Sequence, residues 1–137
     1  MKSSKIAVIV EDNEPTRRLI CTALGTIGIT EVITAENGQM AIEVLAATKA
    51  DIAIVDWKME VMDGIEFTKK VRGSHAGIDP NTPILMLTSV VGSSAEKNAY
   101  DAGVNFFMNK PFSVKLLLSG IKKITSLEGL MNDRRIE

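Results

Sequence analysis

Five polar side chains of this 137-residue chain follow or end apolar runs, and their types suit one kind of chemistry. A carboxylate can attack a phosphoryl group and hold it as an acyl phosphate. A hydroxyl and an ammonium group can bind the phosphoryl oxygens, and phosphoryl transfer depends mainly on such positioning and charge neutralisation. We therefore predict transfer of a phosphoryl group to a carboxylate at a site formed by Glu11, Asp12, Asp56, Thr88 and Lys110.

Three of these five side chains are carboxylates, and carboxylates held close together repel one another unless positive charge lies between them. Lys110 supplies one positive charge. A site with oxygen ligands, few of them from the protein, and with room for water suits Mg²⁺. Mg²⁺ is therefore the predicted cofactor.

The apolar runs that lead to these side chains are short and continuous, which is typical of strands buried on both faces of a parallel sheet. Helical periodicity follows each run, so the chain repeats a strand–helix unit five times. The strands are predicted at residues 6–10, 31–35, 52–56, 83–87 and 104–108.

This alternation predicts an α/β fold with a doubly wound, five-stranded parallel sheet in the flavodoxin-like order 2-1-3-4-5. The carboxyl ends of parallel strands lie at one edge of the sheet, so the five side chains are expected to converge there. Asp56 is the predicted nucleophile because it ends the central strand. One domain is predicted over residues 1–127, followed by a polar tail or the start of a linker at 128–137.

Helix ends are also visible in the sequence. An Asp after a strand is commonly a turn former or a helix cap. Here Asp63, followed by Glu66, has the capping-box spacing, which leaves Asp56 available for chemistry. Ser93 and Glu96 repeat that spacing before the fourth helix, and the apolar positions of the final helix are Leu116, Leu117, Ile121 and Ile124.

Composition limits the classes of function. The net charge of −1 gives no electrostatic reason to expect binding to nucleic acid or to an anionic membrane. The single cysteine excludes an intrachain disulfide. The first apolar run is too short for a signal peptide, and no run is long enough to cross a bilayer. We therefore expect a cytoplasmic protein.

Four motifs in a fixed order resemble the receiver domain of bacterial two-component response regulators, in particular the single-domain chemotaxis regulators. The resemblance extends from residue 5 to about residue 126. The motifs are Val10-Glu11-Asp12, Asp56-Trp57-Lys58-Met59 with Met62-Asp63-Gly64, Leu87-Thr88-Ser89, and Lys110-Pro111-Phe112.

The resemblance implies that Asp56 is the phosphoacceptor and takes its phosphoryl group from the phosphohistidine of a sensor histidine kinase or a phosphotransfer protein. It also implies that Asp12 and Asp56 bind Mg²⁺ directly, Glu11 through water, and Lys58 through its backbone carbonyl.

The resemblance further implies a switch. Lys110 binds the phosphoryl oxygens, Thr88 moves toward them, and Phe107 occupies the aromatic switch position. The Lys110–Pro111 bond is expected to be cis. The fourth helix, fifth strand and fifth helix, roughly residues 93–126, form the expected output face toward a downstream protein.

The expected protein is thus a signalling module that catalyses its own phosphorylation and dephosphorylation, as a monomer or a phosphorylation-dependent dimer. A different possibility is a Mg²⁺-dependent phosphohydrolase with an aspartyl nucleophile. That chemistry typically uses a second Asp two residues after the nucleophile, where this chain has Lys58. The sequence is also compatible with a receiver cut from a longer regulator with a DNA-binding or enzymatic output domain. The intact acidic set, Thr88 and Lys110 argue against a receiver-like domain that only binds partners.

Val90, two residues after Thr88, is predicted to slow loss of the phosphoryl group because an apolar side chain cannot position an attacking water molecule. The Val90→Glu variant should therefore release phosphate faster than the wild type, as measured by the decay of the phosphorylated protein. An unchanged or slower decay would contradict this role of Val90.

Overall fold

The computed structural model describes residues 5–89 and 92–125 of the chain. Its five parallel strands form one sheet in the order β2-β1-β3-β4-β5, which confirms the predicted flavodoxin-like topology. β1 and β3 are neighbours although they are not consecutive, so the topological switch point, at which the strand order reverses, lies between them. The strands are β1 Ile6–Val10, β2 Glu31–Ala35, β3 Ile52–Asp56, β4 Ile84–Thr88 and β5 Phe106–Asn109.

Helices cover both faces of the sheet. Side chains of α1 and α5 pack in one hydrophobic cluster, and side chains of α2, α3 and α4 pack in the other. A 3₁₀ turn at His75–Gly77 follows α3. None of the helices in the described residues has the length and apolar character that crossing a bilayer requires. The helices are α1 Glu14–Thr26, α2 Gly38–Ala47, α3 Gly64–Arg72, α4 Ser93–Ala102 and α5 Val114–Ile124.

The central strand β3 lies between the two clusters, which explains why its sequence is continuously apolar. Ala53 and Val55 face one cluster while Ile52 and Ile54 face the other, and each of these four residues is at most 1% exposed. Alternating side chains of a strand point to opposite faces, so a strand covered on both sides has no polar face. Asp56 is the first polar residue of this strand and therefore marks the edge of the core.

Side-chain caps begin most of the helices, as the sequence indicates. The Asp63 carboxylate accepts a hydrogen bond from the Glu66 N–H at 2.9 Å, and Asn13 caps α1 in the same way through the Thr16 N–H. The predicted Ser93 cap of α4 is wrong. The residue before that helix is Gly92, whose φ of 116° suits glycine.

Three further expectations need correction. β4 begins one residue later than predicted, at Ile84, and β5 begins at Phe106 rather than at residue 104. The Val104 N–H is taken by the carbonyl of Ala99 at the end of α4, so this residue belongs to the helix terminus. β5 also ends one residue later than predicted, at Asn109.

Substitution of Gly64 tests how tightly α3 packs on β3. A Cβ atom there would lie 2.8 Å from the Asp56 carbonyl oxygen, so Gly64→Ala should lower the free energy of unfolding by about 1–3 kcal/mol. Gly25 in α1 has open space, and Gly25→Ala should instead raise that free energy by about 0.5–1 kcal/mol. Chemical denaturation measures both values. Equal effects of the two substitutions would contradict this account of Gly64.

Candidate functional site

The three carboxylates predicted to converge do so at the carboxyl ends of β1 and β3. One carboxylate oxygen from each of Glu11, Asp12 and Asp56 lies within 4.8 Å of the other two. Glu11 is 1% exposed and Asp56 is 8% exposed, whereas Asp12 faces solvent. The cluster therefore has two buried members and one open side.

Lys110 compensates the two buried carboxylates directly. Its Nζ atom lies 2.9 Å from Glu11 Oε1 and 3.1 Å from Asp56 Oδ2. Burial lowers the pKa of the Lys110 ammonium, but the hydrogen bond to Glu11 and the charge of Asp56 raise it, and the net pKa lies above its ordinary value. Lys110 is therefore a cation in this site.

Glu11 is held by contacts of its side chain and its backbone. Its second carboxylate oxygen accepts a hydrogen bond from the Asn13 N–H at 3.0 Å, and its own N–H donates to the Ala35 carbonyl of β2. Its carbonyl accepts a hydrogen bond from Arg17 Nη1 at 2.8 Å. No spacing rule in the sequence indicates this contact of Arg17. Arg17 is thus a supporting residue that the sequence did not reveal.

Backbone contacts on both sides hold Asp56 in place. Asp56 pairs with Leu87 of β4 in the parallel register, and the next residue, Trp57, donates its N–H to the Leu87 carbonyl. The Trp57 carbonyl accepts a hydrogen bond from the Gly64 N–H at 2.8 Å, which closes the loop onto α3. Lys58 lies in this loop with an exposed side chain.

Thr88 and Lys110 are joined through the backbone. The Lys110 N–H donates to the Thr88 carbonyl at 2.8 Å, so the end of β4 sets the position of the loop after β5. Thr88 is fully buried. The Lys110–Pro111 peptide bond is cis. Thr88 and Lys110 therefore stand at the same edge of the sheet as Asp56.

Phe107 lies apart from the carboxylates, on β5. Its ring contacts the Trp57 ring edge-on, with centroids 6.4 Å apart, and the Tyr100 ring of α4 at 6.5 Å. The Tyr100 hydroxyl also accepts a hydrogen bond from the Phe107 N–H. Sequence reasoning missed Tyr100, because no motif or spacing connects it with the site.

The donor set fits a hard divalent cation. The three carboxylates offer only oxygen ligands, and the exposed Asp12 leaves space for water, which Mg²⁺ retains in most protein sites. Val90, predicted to slow phosphoryl loss, and the predicted tail at 128–137 lie outside the described residues.

Comparison with known proteins identifies the class of protein to which this fold and these strand-end residues belong. The model of the response regulator receiver domain matches residues 7–122, and the chain belongs to that family. It is 35% identical over 111 residues to chemotaxis protein CheY1 of Helicobacter pylori, covering 80% of this chain and 88% of that protein.

Two further proteins agree with this assignment. A chemotaxis protein CheY homolog of Campylobacter jejuni is 33% identical over 118 residues, which cover 85% of this chain and 89% of that protein. The structure of Vibrio cholerae chemotaxis protein CheY4 has a TM-score of 0.79 at 30% identity, with 89% of this chain and 99% of that chain covered. The predicted receiver-domain family is confirmed.

Replacing Lys110 tests its role as the cation of the site. Removing one partner of a buried ion pair costs about 3–5 kcal/mol. Because the Lys110 side chain is 22% exposed, we expect Lys110→Met to lower the free energy of unfolding by about 1–3 kcal/mol. Denaturation in buffer with a chelator measures this, since no divalent cation then replaces the ammonium.

The matched control is Lys97→Met, which removes an exposed ion pair with Asp101 on α4. That substitution should leave the free energy of unfolding nearly unchanged, because an exposed ion pair contributes little to stability. If both variants lose the same stability, Lys110 has no special role in compensating Glu11 and Asp56.

Proposed function

We propose that this receiver domain accepts a phosphoryl group on Asp56 and signals through its phosphorylated form. The observation that carries the proposal is the surroundings of the Asp56 carboxylate. It ends the central strand, lies in the cluster with Glu11 and Asp12, and has the Lys110 ammonium 3.1 Å away. An anchored carboxylate beside a cation is suited to nucleophilic attack on phosphorus.

The donor is a phosphohistidine of a sensor histidine kinase or a phosphotransfer protein. One Asp56 carboxylate oxygen attacks the phosphorus, an O–P bond forms as the N–P bond breaks, and the electron pair of that bond stays on the imidazole nitrogen. In the dephosphorylation step, water attacks the acyl phosphate, inorganic phosphate leaves and the carboxylate is regenerated. The protein catalyses both steps on itself.

The proposed Mg²⁺ ligands are Glu11, Asp12, Asp56 and the backbone carbonyl of Lys58. Bound Mg²⁺ supplies positive charge that neutralises the phosphoryl oxygens. Glu11 acts through water, because its two carboxylate oxygens already accept hydrogen bonds from Lys110 and from the Asn13 N–H. Asp12 is the exposed member and keeps the site open to the ion and its water.

Lys110 and Thr88 bind the phosphoryl oxygens of the acyl phosphate. Phosphorylation adds about −1.5 to −2 charges, so the Lys110 ammonium exchanges carboxylate contacts for phosphoryl contacts. Thr88 moves inward and Phe107 fills the space that it leaves. A near-complete change of population requires about 5.5 kcal/mol of differential stabilisation between the two conformations.

The output face is the surface of α4, β5 and α5, which contains Phe107 and binds a downstream protein. The proposed regulator is cytoplasmic and acts as a monomer or a phosphorylation-dependent dimer. The phosphohydrolase alternative is disfavoured because Lys58, an exposed cation, occupies the position of the general acid.

Incubation with acetyl phosphate and Mg²⁺ tests the acceptor. We expect mass spectrometry to detect one added phosphoryl group on the wild type and none on Asp56→Asn, because an amide is a far poorer nucleophile than a carboxylate. A chelator should abolish the adduct. Equal labelling of the variant and the wild type would exclude Asp56 as the acceptor.

A further inference from the structure

The edge strand of the sheet has a side-chain partner on α4. β5 lies at the edge of the sheet, and the Phe107 N–H donates a hydrogen bond to the Tyr100 hydroxyl at 3.1 Å. The Lys110 N–H, three residues later, points instead to β4 and donates to the Thr88 carbonyl. Backbone groups of a strand alternate in direction, so the Phe107 N–H faces away from the sheet. The Tyr100 hydroxyl therefore accepts a hydrogen bond from a backbone N–H that an edge strand otherwise presents to solvent or to a partner.

The Tyr100 ring also ends a path of contacts that begins at the acceptor. Trp57 follows Asp56 directly in the chain, and its ring meets the Phe107 ring at 6.4 Å with an interplanar angle of 77°. The Phe107 ring meets the Tyr100 ring at 6.5 Å. Tyr100 is 41% exposed on α4, so this path leads from Asp56 to the outer surface.

The two ends of α4 are held differently. At the carboxyl end, the Gly103 N–H bonds to the Ala99 and Tyr100 carbonyls, and Gly103 has a φ of 115°. At the amino end, Gly92 precedes the helix and offers no side-chain cap. The contact that joins α4 to β5 at this point is therefore the hydrogen bond to the Tyr100 hydroxyl, which the helix supplies.

We propose that Tyr100 is a positioning residue whose hydroxyl tethers α4 to the edge of β5 and thereby sets how readily the switch operates. The proposal rests on the proposed function of Asp56. The tether stabilises the described arrangement, in which the Phe107 ring lies between Trp57 and Tyr100. The change of the α4, β5 and α5 surface on phosphorylation moves α4 relative to β5 and breaks the hydrogen bond between the Tyr100 hydroxyl and the Phe107 N–H. A ligand shifts such an equilibrium only by its differential affinity, so any interaction confined to the unphosphorylated arrangement opposes the switch.

The Tyr100→Phe variant keeps the ring and removes only the acceptor. A hydrogen bond of ordinary net strength corresponds to a change of about threefold to tenfold in an equilibrium constant. We therefore expect the variant to bind beryllofluoride, a phosphoryl mimic, about threefold to tenfold more tightly in the presence of Mg²⁺. Trp57 is the single tryptophan and adjoins the acceptor, so its fluorescence serves to follow binding. The matched control is Lys97→Gln, an exposed substitution one turn away on α4, which should leave the affinity unchanged.

Amide hydrogen exchange at Phe107 supplies a readout that a general loss of stability does not imitate. The Phe107 amide should exchange faster in Tyr100→Phe than in the wild type, and faster in the wild type once beryllofluoride is added, while β1 amides keep their protection. Unchanged or weaker beryllofluoride binding by Tyr100→Phe, or unchanged Phe107 exchange, would overturn the tether alone. Failure of beryllofluoride to bind the wild type would instead overturn the proposed function and this inference with it.

Discussion

The contact on which the site depends is the one between the Lys110 ammonium and two buried carboxylates, at 2.9 Å to Glu11 and 3.1 Å to Asp56. Charges taken out of water are tolerated only when they are paired and hydrogen-bonded. The Asn13 N–H satisfies the remaining Glu11 oxygen, so the buried part of the cluster is closed while Asp12 remains open. The buried charges are thus paired while the site keeps the open side on which the proposed metal binding and phosphoryl transfer depend.

The sheet makes that contact possible. Parallel strands deliver their carboxyl ends to one edge, and the order that places β1 beside β3 brings Glu11 and Asp56 together from positions far apart in sequence. The hydrogen bond from the Lys110 N–H to the Thr88 carbonyl holds the loop after β5 against the end of β4. This contact positions the Lys110 ammonium beside the carboxylates. Strand order and register thus account for the meeting of Glu11 and Asp56, which follow or end neighbouring strands.

Strand order and register are also what the sequence could predict. A continuously apolar strand such as β3 shows its own end at Asp56, and the Asp63 cap is a local signal, so both were readable from the chain. Contacts between side chains on different elements are not local. The hydrogen bond from Arg17 to the Glu11 carbonyl and the one from the Phe107 N–H to Tyr100 depend on how helices settle on the sheet.

In the proposed switch, the charges around Asp56 and the aromatic packing that begins at the adjacent Trp57 are therefore parts of one balance. In the proposed mechanism, a phosphoryl group on Asp56 competes with Glu11 for the Lys110 ammonium, so the free energy available for switching is what Lys110 and Thr88 gain beyond the contacts that they give up. The Trp57 and Phe107 rings lie between the acceptor and Tyr100 of α4. Each contact that these rings keep in only one arrangement adds to or subtracts from that gain. Residues that never touch the phosphoryl group can thus set the sensitivity of the switch, and an aromatic side chain with a hydroxyl on α4 is well placed to do so.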